Sequence, residues 1–77
     1  MSYIPADIKK TQVLEYDIDG NLLYQGQAQP GSAKNEAVWK ITKYIYNVDN
    51  RLTDILWADG NLKEDKIWDN RINYNYS

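Results

Sequence analysis

The chain has 77 residues, 43% of them hydrophobic and 26% charged, which supports one small globular domain. It has no cysteine and no histidine, which excludes disulfides, thiolate or imidazole metal sites, and Ser-His or Cys-His catalysis. Nine basic against eleven acidic residues give a net charge of −2, with no basic footprint for nucleic acid. A chain this short usually needs a cross-link, a metal or a partner, so the composition points to association. The opening Met1-Ser2-Tyr3-Ile4-Pro5-Ala6-Asp7 has neither the basic nor the apolar region of a signal peptide. No apolar run approaches the ~20 residues of a membrane span, so neither membrane nor nucleic acid is an expected partner.

Residues 1–10 read as an N-terminal arm, broken by Pro5 and with few apolar grips, and 11–77 as a single small β domain. Thr11 to Asp17 is strand-like, as is Leu22 to Gly26. Asp19-Gly20 between them predicts a type I′ hairpin turn, whose two central residues both take positive φ. Residues 27–35 form a loop in which Pro30-Gly31 fits a type II turn. The clearest strand runs from Glu36 to Val48: Ala37, Trp39, Ile41 and Ile45 alternate with a more polar set, Lys43 being the exception on the apolar side. Asp49-Asn50-Arg51 turns the chain into a returning strand, Leu52 to Trp57. Asp59-Gly60 breaks that strand, one or two helical turns follow within residues 62–71, and Ile72 to Tyr76 alternates as a last strand. The expected fold is mainly β: a small antiparallel sheet or half-barrel of about five strands, built from two hairpins, with one short helix near the C-terminus. Two successive hairpins hint at duplication, but no repeat stands out in the letters.

Chemistry-bearing patterns are few. Asp17-Ile18-Asp19-Gly20-Asn21 begins like a calcium loop, but Leu22 and Leu23 stand where further ligands belong, so it reads as a hairpin turn and no metal is expected. Asp54, Asp59, Glu64, Asp65 and Asp69 lie near Trp57 and Trp68, and paired carboxylates beside tryptophan can cleave glycosides. A chain this short builds few walls around a sugar, so the acids read as solvated and capping groups, with no catalytic residue and no cofactor expected.

The aromatic composition is biased: three Trp and seven Tyr, with no Phe. Each such side chain joins an apolar body to a polar tip, which suits half-wet places such as interfaces. Tyr3, Ile4, Tyr24, Tyr44, Tyr46, Tyr74 and Tyr76 are the candidate interface residues. Trp39, Trp57, Asp59, Gly60, Ile67, Trp68, Asp69 and Arg71 are candidate structural residues. Of these, Asp59-Gly60 reverses the chain, Ile67 and Trp68 plug the sheet's open end, and Asp69 and Arg71 pair with each other or with turn groups.

Trp57-Ala58-Asp59-Gly60-Asn61, followed by Lys66-Ile67-Trp68-Asp69-Asn70-Arg71 and a tyrosine-rich end, resembles a family of small virion-associated proteins of tailed bacteriophages. Leu23-Tyr24-Gln25-Gly26-Gln27-Ala28-Gln29-Pro30-Gly31 and Ala37-Val38-Trp39-Lys40-Ile41 are similar to that family's earlier pattern. The likeness spans roughly residues 11–77 and leaves out the arm. It implies a location in the virion, after synthesis in a host cytoplasm, and supplies no catalytic residue. The leading expectation is therefore a non-enzymatic structural or interaction protein of a phage particle, meeting copies of itself or other virion proteins. The alternatives are a carbohydrate-binding module, with a glycan as partner, and a small inhibitor of a host enzyme.

Overall fold

A computed structural model of the protein describes residues 10–77. The arm, apart from Lys10, lies outside the described residues, and Tyr3 and Ile4 with it. Four strands follow in chain order: β1 (Thr11–Tyr16), β2 (Leu22–Ala28), β3 (Ala37–Tyr46) and β4 (Leu52–Trp57). They form an open antiparallel meander in the order β1-β2-β3-β4. A two-residue strand β5 (Lys66–Ile67) pairs with the first part of β3, and a 3-10 helix η1 (Trp68–Asn73) follows it. The mainly β architecture with a short C-terminal helix is as the sequence predicts.

The hydrophobic pattern sets the faces. Val13, Tyr24, Gly26, Ala28, Trp39 and Ile41 alternate along β1, β2 and β3 onto one face. There Ala28, Trp39 and Ile41 are buried together with Ala58 and Trp68. Trp68, at the start of η1, lies over this face with its ring 6.4 Å from that of Trp39 and tilted by 51°. Tyr74 and Tyr76 pack against the same cluster. The C-terminal segment is therefore the second layer of a thin core, and no other segment among the described residues covers the opposite, open face of the sheet.

Three local expectations are corrected. The first hairpin has no type I′ turn: Gly20 has φ +85°, but Asp19 stays at negative φ. Instead the Asp17 carboxylate accepts from the Asp19 and Asn21 amides at 2.9 and 2.8 Å, and the Gly20 amide donates to the Asp17 carbonyl. This is a type I turn closed by a left-handed glycine. Second, residues 62–71 do not form a helix as a unit. Lys66 and Ile67 are extended because they pair with Ala37 and Trp39, and helical geometry starts only at Trp68. Third, the strand expected over 72–76 reduces to one bridge, Tyr76 with Ala58, while Ile72 sits exposed in η1. Sheet pairing and the docking of Trp68 override local propensity at the last two of these places, and the Asp17 carboxylate sets the turn at the first.

The two hairpins are one design used twice. In the first, Gln12, Val13, Leu14, Glu15 and Tyr16 pair with Gln27, Gly26, Gln25, Tyr24 and Leu22. In the second, Thr42, Lys43, Tyr44, Ile45 and Tyr46 pair with Trp57, Leu56, Ile55, Asp54 and Leu52. Adding 30 to each number of the first ladder gives the second, including the bulge that leaves Leu23 in one and Thr53 in the other unpaired. The tips match as well. Asn47 accepts from the Asp49 and Arg51 amides as Asp17 does from Asp19 and Asn21, and Asn50, at φ +61°, stands where Gly20 does.

Candidate interaction surface

No cavity opens among the described residues, and no three or more of their acidic side chains are grouped so as to hold a metal ion. The acids proposed for sugar chemistry have separate duties. Asp54 accepts from Thr53, Glu64 pairs with Lys10, and Asp65 pairs with the buried Lys66, whose ammonium also reaches Asn61. The Asp17 carboxylate of the calcium-like stretch is engaged by turn amides and by the Asn21 side chain.

The C-terminal motif residues build the layer over the core. Asp59 and Gly60 both take positive φ, 54° and 67°, and reverse the chain after β4. A side chain at Gly60 would collide with the Ser77 hydroxyl, at 2.5 Å from the added carbon. Trp68 is buried and Ile67 half-buried, so the tryptophan does most of the plugging. Arg71 pairs with Glu15 of β1 at 2.7 Å rather than with Asp69. Its guanidinium also lies 4.7 Å from the centre of the Trp68 ring. Asp69 contributes its backbone amide, which donates to the Lys34 carbonyl. The hydrogen bond from Arg71 holds the Glu15 carboxyl below its ordinary range, and Glu15 in turn pushes Arg71 up. Trp57 is half-buried on the open face.

The tyrosines divide into two groups. Tyr74 and Tyr76 turn inward: Tyr74 accepts from the Ile67 amide at 2.8 Å, and Tyr76 donates to the Arg71 carbonyl at 2.6 Å. Tyr24 lies against Tyr76, ring centres 5.8 Å apart, and the Lys43 ammonium sits 5.8 and 5.4 Å from these two rings. That contact accounts for a lysine on the apolar side of β3, since its charge faces ring π-clouds. Burial pushes the Tyr76 hydroxyl well above the usual phenol range, with Tyr24 adding to the shift. Tyr46 donates to the Leu22 carbonyl at 2.8 Å and ties the second hairpin to the first. Tyr44 lies on the open face, where it donates to Gln25, which donates to Gln12. Burial raises the Tyr44 hydroxyl too.

The large apolar side chains that remain exposed within the strands are confined to the two edges. Leu14 and Tyr16 on β1 are 44% and 55% exposed, and Leu52 and Ile55 on β4 are 47% and 43% exposed. Tyr16, Leu14, Leu52 and Ile55 were not singled out from the sequence. The sequence signal reaches only Tyr16 and Leu52, through the position-by-position match of Tyr16-Asp17-Ile18-Asp19-Gly20-Asn21-Leu22 with Tyr46-Asn47-Val48-Asp49-Asn50-Arg51-Leu52, in which three of seven letters are identical. At the tips, Ile18 and Val48 are fully exposed, and Asn21 donates to Asn50 across them at 3.2 Å. No protein-family model matches the chain, and no curated protein or solved structure matches it.

Proposed function

We propose that the protein is a non-enzymatic structural component that works by joining copies of itself through the two edges of its sheet. The observation that supports this is the placement of the strands' exposed large apolar side chains. They lie on β1 and β4 and on neither central strand. An edge strand offers unpaired amides and carbonyls to another chain, and proteins that avoid this place lysine or proline along the edge. Neither β1 nor β4 contains lysine or proline. A small core adds to the case, because a thin sheet covered on one face gains stability from further burial.

The setting we propose is a bacteriophage particle, and it rests on the resemblance of the Trp57 to Asn61 and Lys66 to Arg71 segments. A glycan-stacking role has less support, because Trp39 and Trp68 are buried in the core and have no free face to offer. Native mass spectrometry and light scattering test the reading. Wild type forms concentration-dependent multimers, and Leu14→Lys and Ile55→Lys, each charging one edge, shift the population to monomer by at least tenfold in apparent Kd. A wild type that stays monomeric up to about millimolar concentration refutes it.

A further inference from the structure

The duplicated hairpin points to the geometry of the joint between copies, an inference that rests on the self-association proposed above. The molecule already contains one edge-to-edge joint between two such hairpins, at β2 and β3, where Tyr24, Gln25, Gly26 and Gln27 pair with Lys43, Thr42, Ile41 and Lys40. In the repeat, β4 is the counterpart of β2 and β1 the counterpart of β3. The free edge of β4 is therefore the same kind of edge that β2 offers to β3, and the free edge of β1 is the kind that β3 offers in return. We infer that β1 of a second copy adds to β4 in the register of the internal joint. That register sets Asp54, Ile55 and Leu56 opposite Val13, Gln12 and Thr11 of the next copy.

Backbone direction agrees with this register. Trp57 spends both its amide and its carbonyl on Ser77, at 3.0 and 3.2 Å, so its polar groups point away from β3. Ile55, two residues back on the regular side of the bulge, shares that direction by strand alternation, and its outward groups have no backbone partner among the described residues. The carbonyl of Ile41 accepts from the Ala58 amide, so Ile41 faces β4 and its neighbour Thr42 faces β2. Gln12, the counterpart of Thr42, accordingly points out of the sheet, ready to meet Ile55.

The side chains agree as well. Across the internal joint Tyr44 reaches diagonally to Gln25 on the open face. The counterpart pair between copies is Leu14 with Ile55, two exposed apolar residues where the internal joint uses a hydrogen bond. The joint would cover both. No like charges stand opposite each other in this register, whereas a slip of two residues would set Glu15 against Asp54. Successive copies keep one orientation, every pair is antiparallel, and the contact is head-to-tail, which closes into a ring or extends as a filament. Ser77 occupies the rung beside Trp57, which confines the joint to Leu52–Leu56 and requires the chain before Thr11 of the next copy to turn away.

Disulfide trapping tests the register without interference, because the chain has no cysteine of its own. Within one molecule β1 and β4 are three strand spacings apart, about 14 Å, too far for an internal bridge. Under mild oxidation the double variant Gln12→Cys with Ile55→Cys is expected to give a ladder of covalent multimers. The pair Leu14→Cys with Ile55→Cys, offset by two residues, should link at least fivefold more slowly, and each single variant should give only background dimer. Equal linking of the offset pair overturns the register. Rapid dimerisation of Ile55→Cys alone overturns the head-to-tail contact in favour of β4 meeting β4. If native mass spectrometry shows the wild type assembling while the double variant gives no ladder, the joint is wrong but self-association stands. A wild type that is monomeric in that measurement overturns both.

Discussion

Gly26 lies at the centre of β2 on the covered face, between Val13 and Ile41, and its missing side chain is the space in which the Trp68 ring rests. A methyl group built there would stand 2.6 Å from Cε3 and 3.0 Å from Cζ3 of Trp68, and 3.1 Å from Cε3 of Trp39. Ordinary contact begins at 3.4 Å, so the Trp68 ring must retreat by about 0.8 Å. Trp39 is fully buried and cannot yield on the other side. Forcing an extra methyl into a packed core costs about 1–3 kcal/mol. Replacing glycine by alanine in a strand returns about 0.5–1 kcal/mol of backbone entropy. Gly26→Ala should therefore lose about 1 kcal/mol, and at most about 2.5, out of a total stability of about 4–12 kcal/mol for a chain this long. Urea titration followed by circular dichroism measures this as a lower midpoint at unchanged slope. The double variant Gly26→Ala with Trp68→Leu removes the clash, so the alanine should cost at least ~1 kcal/mol less in that background. A Gly26→Ala protein as stable as wild type, or a cost independent of residue 68, refutes the idea that the glycine seats the tryptophan.

Glu15 has a carboxyl held below its ordinary value of 4.5 by Arg71, so the pair's contribution is fully present above about pH 4.5 and fades as pH falls through the lower folded value. About a third of the Glu15 side chain is exposed, which limits the contribution to under ~1 kcal/mol. Glu15→Gln should flatten the stability curve between about pH 5 and pH 3 relative to wild type, as read by thermal unfolding across that range. Asp65 is also depressed, by its bond from Lys66, but it is unchanged between the two proteins and cancels in the comparison. An unchanged curve would show that the pair contributes nothing. The repeated tips make a paired prediction: Asp17→Ala and Asn47→Ala each remove a side-chain oxygen that accepts from two backbone amides, and each should cost about 1 kcal/mol, with the charged Asp17 at the higher end. Urea unfolding that finds one of them neutral would show that the two turns are not energetically equivalent.

Local chemistry made much of the sheet legible. Alternation along Ala37, Trp39 and Ile41 located the central strand and its buried side. Pro30-Gly31 located a turn that forms as expected, with Gly31 at φ +88° and the Ser32 amide donating to the Gln29 carbonyl. Asp59-Gly60 marked the reversal after β4. Each of these signals is complete within a few residues, so no distant contact is needed to read it. The C-terminal third was harder. Glu64, Asp65, Ile67 and Trp68 satisfy a helical reading, and Ile72, Tyr74 and Tyr76 satisfy a strand reading, because both patterns describe a segment with one apolar side.

What the sequence determined by itself is the two-hairpin β framework and the lack of any thiol or imidazole to stabilise it. What only the tertiary structure decided is where the half-polar aromatics go. Tyr74 and Tyr76 have the same chemistry as Tyr16, yet the first two close the core and the third is left on an edge. The difference lies in long-range partners: Gly26 leaves room for Trp68, β3 pairs with Lys66 and Ile67, and Ala58 and Trp57 bind the last two residues. A tyrosine's fate depends on whether another part of the chain reaches it, and that is set by packing between segments distant in sequence.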